Sequence, residues 1–386
     1  MANEESLREQ AVLLYLAGKS QSDISVELNR SRTWVYKWIS RYNTGSPVWQ
    51  ESHSRAPHHN ANQTSSLMEE LVVSTRLRLE SSPHLESGAY SIWHDISDQG
   101  KEPPSIAMIN RILKRHGLVK SKIRYERSGI EYPEPPLNMH QMDLIGPRYI
   151  GGGQRFYLLT IISNDTRYAG VYPIPDKSAL EVTRSVVSFW KYYSVPDFLQ
   201  LDNELSFKGS NRHPRALGTL LRTAMSLNVT PMFIPVSEPW RNGVVERFNQ
   251  KVGNTLLLQR HEDFKELLRH SSEFMAAHNF RHHYSTLGHK TPSQISRDLD
   301  MPMCPLPGDY EVCVKPELDC NNLNKIHFIR LVRSDLTINV LNTDVKVIPS
   351  LMHTYVDVVL LVNEHRLLIK QDGKIRQSEE FVMPVV

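Results

Sequence analysis

The sequence predicts a multidomain protein: all-α units towards the N-terminus, a central α/β region on a mixed sheet, and a small β-barrel at the C-terminal end. Three observations lead there. Between residues 6 and 118 apolar positions recur at helical spacing, with serines ahead of the runs and glycines behind them. From residue 139 three consecutive strand-like runs precede alternating helices and strands, which suits a mixed sheet better than a doubly wound parallel one. Residues 321–386 then carry five short strand-like runs.

A chain of 386 residues is long enough for about two to three domains. Its 40% hydrophobic and 23% charged residues are ordinary for a protein that buries a core. A net charge of +3 is too mild to name a nucleic-acid partner, so the clustering of charge matters more than its sum. Cys304, Cys313 and Cys320 are odd in number and lack CxxC spacing, which argues against a disulfide framework and fits a reducing compartment. The opening MANEESLREQ is polar and acidic, unlike a signal peptide. The longest apolar run, residues 358–362, is far too short to cross a bilayer. The expectation is a soluble, cytoplasmic protein with no membrane partner.

Residues 1–43 read as three short helices. The first carries Val12, Leu13 and Leu16 on one face and stops at Gly18. Ser20 caps the second, which buries Ile24 and Leu28, and Ser31 caps the third, which buries Val35, Ile39 and Tyr42. The other side of the third helix presents Trp34, Lys37 and Arg41, with Arg32 and Thr33 at its start. A helix, a tight turn and a basic helix with a free N-terminal end is the helix-turn-helix arrangement that fits a DNA major groove. A plain three-helix bundle with a solvated basic face would give the same pattern.

Residues 44–62 are a linker rich in Ser, Pro, His and Asn. A second helical unit follows over 63–127, with Ser105 capping IAMINRILKRHG up to Gly117. Its end holds Lys120, Lys122, Arg124 and Arg127 against one acid, Glu126; such a run is either a solvated face or a strip that tracks phosphates. EYPEPPLNMH, punctuated by prolines, marks the boundary to a core over 136–300. There MHQMDLIG, RFYLLTIISND and RYAGVYPIP read as strands, SALEVTRSVVSFWKYYS as an amphipathic helix, and DFLQLDN as a buried strand. A helix around 215–227, the strand TPMFIP and a helix opening in SEPWRNGVVERFNQ complete it. In the tail, KIHFIRLV, LTINVL, DVKVIP, YVDVVLLV and RLLIKQ are the barrel strands, and Asp372-Gly373 signals a hairpin.

Asp143 lies inside an apolar strand and Asp202 closes another. Burying a carboxylate without a partner is costly, so each needs a reason. A sheet-edge site for Asp143 and a turn cap for Asp202 are the structural alternatives. Asp165 follows Ser163 and Asn164 and suits a turn. On its helix Glu246 lies opposite the apolar arc of Val244, Val245, Phe248, Val252 and Leu256, beside Asn242, Asn249 and Gln250. Three carboxylates brought together repel unless a divalent cation joins them, and an all-oxygen set suits Mg2+ or Mn2+. His278, His282, His283 and His289 invite a zinc reading, but no cysteine lies near them, and helix-face or DNA-proximal histidines account for them better.

Asp143, the Asp202 of LDN and the Glu246 of PWRNGVVERFN resemble the Asp-Asp-Glu triad of the DDE transposases and retroviral-type integrases. HNFRHHYSTLGHKTPSQ, residues 278–294, is similar to the family's motif beyond its core. The resemblance covers nearly the whole chain. It implies a ribonuclease-H-like core in which Asp143, Asp202 and Glu246 are the catalytic residues and hold two Mg2+ (or Mn2+) ions. It further implies cleavage of transposon-end phosphodiesters and strand transfer into target DNA, and a homo-oligomer on double-stranded DNA in a prokaryotic cytoplasm or nucleoid. A non-catalytic regulator descended from a transposase and a nuclease that cuts without joining are the alternatives. Two departures stand out: Glu204 replaces the family's usual Gly after Asp202-Asn203, and residues 208–216 look like an insertion before Glu246.

Overall fold

The structure, a computed structural model, describes residues 4–52, 64–82, 84–119, 134–204, 207, 214–236, 238–299, 303–319 and 321–384. The chain forms two compact units, residues 1–65 and 66–386. None of the described helices is long and apolar enough to cross a membrane.

The first unit is a trio of helices, α1 (Glu4–Leu16), α2 (Gln21–Glu27) and α3 (Arg32–Asn43). Gly18 takes a left-handed φ of +88° just beyond α1, a conformation costly to other residues. The Ser20 and Ser31 hydroxyls accept from the backbone N–H of Asp23 and Trp34, at 3.3 and 3.2 Å. Ala11, Ile24, Val35 and Ile39 make the core. The α1 face differs from expectation: Arg8, Ala11 and Val12 point inward, while Leu13 and Leu16 are exposed. Trp38 is the reason. It is buried on α3, and the Arg8 guanidinium lies 4.1 Å over its ring, which pulls the Arg8 side of α1 inward.

The second unit opens with α4 (Ser66–Ser81), α5 (Ala89–Asp98) and α6 (Ile106–Arg115), which share a small core of Val72, Leu79, Ile92, Ile96, Ile109, Ile112 and Leu113. A sheet of nine strands follows. Its strands are β1 (Met139–Tyr149), β2 (Arg155–Ser163), β3 (Ala169–Ile174), β4 (Phe198–Leu201), β5 (Thr230–Phe233), β6 (Lys325–Leu331), β9 (Tyr355–Leu361), β10 (Arg366–Gln371) and β11 (Lys374–Glu380), in the order β11-β10-β9-β6-β5-β4-β1-β2-β3. β1, β2 and β3 are antiparallel neighbours, whereas β1, β4, β5 and β6 run parallel. This is the expected mixed sheet. Helices α7 (Ala179–Tyr192) and α8 (Thr219–Ser226) cover one face, and α9 (Gly243–Asn254) and α10 (Phe264–Arg281) the other. Along β2, Tyr157, Leu159 and Ile161 enter the first core while Phe156, Leu158 and Ile162 enter the second. With both faces buried, the strand is apolar throughout instead of alternating.

The expected C-terminal barrel does not form. Its strands exist, with an additional one at β11 reached through the Asp372-Gly373 turn, but they extend the central sheet. β6 pairs in parallel with β5, and the rings of Phe233 and Phe328 stack at 5.1 Å across the joint. Among the described residues β11 pairs only with β10, so the strands do not close. An open edge at β5 is a template for another strand, and the tail covers it. Only β7 (Thr337–Val340) and β8 (Thr343–Lys346) stand apart, as a hairpin.

Candidate active site

Side chains alternate along β1. Met142 and Leu144 face the α7 side, so Gln141 and Asp143 face α9. Both are engaged there. The Gln141 carbonyl oxygen accepts from the backbone N–H of Val244 and of Val245, each at 3.1 Å, and so caps the first turn of α9 from a strand. The Asn249 amide donates to Asp143 Oδ2 at 2.7 Å, and the Leu144 N–H donates to Oδ1 at 2.8 Å. Gln200 of β4, the register partner of Gln141, donates to Asn242 Oδ1 at 3.0 Å, and Asn242 donates to the Met142 carbonyl at 3.1 Å. Two strands thereby fix the start of the helix that carries Glu246.

Asp202 follows β4, and its Oδ1 accepts from the Glu204 N–H at 2.9 Å. Asn203 is held at both ends of its amide, donating to the Ile234 carbonyl at 2.8 Å and accepting from Arg330 at 3.0 Å. Glu246, half-buried in the first turn of α9, has its carboxyl pushed up by loss of solvent. The Asp143 carboxyl is pushed up to about 7, chiefly by burial and further by the charges of Asp202, Glu204 and Glu246; the Leu144 N–H opposes the shift. Four acids thus share one electrostatic neighbourhood. Among the described residues no three His, Cys, Asp or Glu side chains stand close enough to hold one metal ion. Asp143 faces amide donors, and Glu204 faces Lys177 at 2.7 Å. Asp165 sits in the turn between β2 and β3, where the Thr166 N–H donates to Ser163 Oγ at 3.3 Å.

Sequence comparison reaches the part of this core that holds Glu246. An integrase core domain family matches residues 227–292, which include Glu246, and a homeodomain-like domain family matches residues 2–48. Over residues 227–292 the chain is thus similar to an integrase core domain. Similar solved structures include the catalytic core domain of BIV integrase, at 17% identity over 42% of this chain and 95% of that one, with a TM-score of 0.32. The HTLV-2 integrase catalytic core domain in complex with magnesium is 16% identical over 42% of this chain and 97% of that one, with a TM-score of 0.32. A simian T-cell lymphotropic virus intasome is 12% identical over 76% of this chain and 95% of that one, with a TM-score of 0.37.

The motif after Glu246 makes architectural contacts. Asn279 of α10 accepts from the Ala169 N–H and donates to the Ala169 carbonyl, both at 2.9 Å, and so ties α10 to strand β3. Thr291 and Gln294 form a capping box with Pro292 in the first turn of α11 (Pro292–Asp298). The histidines of this stretch divide among separate tasks. His278 is fully buried against the Arg167 carbonyl, not on a polar helix face. His282 faces Glu86 at 3.3 Å, and His283 stacks on His94 at 3.6 Å.

Of the residues expected at DNA, Arg32, Thr33 and Lys37 are exposed on α3 of the homeodomain-like unit. Trp34 packs against the core, and Arg41 donates to the Glu51 carbonyl at 3.0 Å, so neither side chain stands free. Tyr36, exposed on the same face, went unnoticed because a lone tyrosine one position from a predicted contact gives no periodic signal. Lys120, Lys122, Arg124 and Arg127 lie outside the described residues.

From the sequence alone, no part in placing α9 and Asp143 falls to Gln141, Gln200 or Asn249. Gln141 and Gln200 are buried amides inside apolar strands, and that mismatch was the available signal.

Proposed function

We propose that the chain is a DNA transposase of the integrase type, which cuts transposon-end phosphodiesters and joins the ends to target DNA with divalent metal. The observation that carries this reading is the raised Asp143 carboxyl, burdened by the charges of Asp202 and Glu246 on an integrase core. Such a group favours either a proton or a cation, and the donor set is all oxygen, as Mg2+ and Mn2+ prefer. Asp143, Asp202 and Glu246 would hold the ions, which requires them to stand closer together than they do in the described structure. Bound there, two ions supply activation of a water or 3'-hydroxyl and stabilisation of the leaving oxygen. The chain's own part is positional. Asn249 orients Asp143, and Gln141 and Asn242 hold the first turn of α9.

End recognition falls to the exposed face of α3, with Arg32, Thr33, Tyr36 and Lys37 at base edges, and Lys120, Lys122 and Arg124 serve as phosphate contacts. Action at two ends implies a homo-oligomer on double-stranded DNA. The test is strand transfer with Mg2+ beside a gel shift. Asp143→Asn, Asp202→Asn and Glu246→Gln should each abolish joining while binding persists; full joining by any one of them sinks the assignment. Cleavage without joining by the unmodified chain would favour a nuclease.

A further inference from the structure

The loop of Asp202 and the turn ahead of Glu246 are both gripped by the tail. Arg330 of β6 is buried, and its guanidinium donates to Asn203 Oδ1 at 3.0 Å and to the Ile234 carbonyl at 2.8 Å. Asn203 donates to that same carbonyl, and the Ile234 N–H donates to the Leu201 carbonyl at 3.1 Å. The residues on both sides of Asp202 are therefore bound into one ring with β6. A second grip involves β9. The Tyr355 hydroxyl donates to Glu238 at 2.7 Å and accepts from Arg241 at 3.1 Å, while Arg241 also donates to Glu238 at 3.1 Å. Glu238 precedes, and Arg241 lies within, the 3-10 turn Pro239–Asn242 that feeds directly into α9.

We propose that Arg330 and Tyr355 are positioning residues of the active site, fixing Asp202 and Glu246 respectively, so that the tail is part of the catalytic apparatus and not a detachable DNA-contact module. A planar guanidinium suits this task because its fork meets several acceptors in fixed directions, which an ammonium does not. Misplacing a ligand carboxylate by an ångström is enough to cost turnover. The proposal rests on the metal-dependent transferase reading, and the test separates the two.

The full chain carrying Asn203→Ala, Tyr355→Phe or Arg330→Lys is compared with the unmodified chain. Four quantities are read: strand-transfer turnover, Mn2+ affinity by titration, gel-shift affinity for end DNA, and hydrogen exchange of the amides at 201–204 and 239–246. Asn203→Ala and Tyr355→Phe remove contacts at the edge of the fold and guard against loss of folding in the Arg330 variant. Turnover should fall by about tenfold to a hundredfold, with Mn2+ affinity weakened and DNA affinity unchanged. Exchange should quicken at 201–204 for Asn203→Ala and Arg330→Lys, and at 239–246 for Tyr355→Phe. Unaltered turnover and Mn2+ affinity in the variants would overturn the proposal, as would unaltered exchange at both segments. If the unmodified chain neither binds Mn2+ nor joins DNA, the transferase reading falls, and exchange alone still decides whether the tail holds the two segments.

Discussion

Asp143 couples the site to pH. Its carboxyl is pushed up from an ordinary 3.8 to about 7 by burial and by neighbouring acids. The neutral form is therefore the one the fold prefers. Stability from this group is fully present below about pH 4 and is lost as pH rises through about 7. Asp143→Asn removes the penalty: the urea midpoint should rise at pH 8 by the equivalent of a few kcal/mol and barely change at pH 4. A gain of equal size at both pH values would contradict burial and charge as the cause. Asp143 stands out in the sequence because a carboxylate interrupts an apolar strand. Gln141, two residues earlier, interrupts the strand too, but its task is not legible there, since it depends on the N–H groups of Val244 and Val245, roughly a hundred positions on.

Helices α3 and α9 show how far an element can be read from its own residues. The α3 caps and two of its inner positions, Val35 and Ile39, follow from spacing, and the structure has them there. Trp38, which the spacing does not single out, is buried with the guanidinium of Arg8, from another helix, over its ring. Trp34 packs on the core and Arg41 is tied to Glu51, so the free surface of α3 is narrower than its spacing suggests. The α3 surface then predicts a division: Arg32→Ala, Tyr36→Ala and Lys37→Ala should each weaken end binding by about 1–3 kcal/mol with little change for random DNA, while Arg41→Ala, whose side chain is tied to Glu51, should act mainly on stability. A gel shift with competitor DNA distinguishes these outcomes. On α9, Lys251 is buried and faces Glu86, which precedes α5, at 3.2 Å. Burial pulls the lysine's pKa down and Glu86 opposes that. Glu86→Gln should destabilise the chain by about 1–3 kcal/mol, read from the urea midpoint, and Glu86→Gln with Lys251→Met should recover part of the loss. No local pattern pairs these two residues, because 165 positions separate them.

At the scale of the molecule, strand identity was legible and strand partnership was not. Each tail strand except β11 shows its own β-rich run, but nothing local says that KIHFIRL lies beside TPMF instead of curling onto its sequence neighbours. That choice depends on the exposed edge of β5 and on Phe328 meeting Phe233. A chain ending at residue 320 should therefore expose that edge, bind a hydrophobic dye and aggregate, whereas residues 1–65, with a core of their own, should stay monomeric and folded. Light scattering and circular dichroism of the two fragments test this; a well-behaved 1–320 fragment would mean the tail is dispensable to the sheet. The same joint orders events in time. A ribosome that has released residues 1–300 has already delivered Asp143, Asp202 and Glu246, yet the strands that brace two of them are still untranslated. On the proposed function, competence to break DNA would arrive only with the residues that follow, and a message cut short would yield a product harmless to the genome that encodes it.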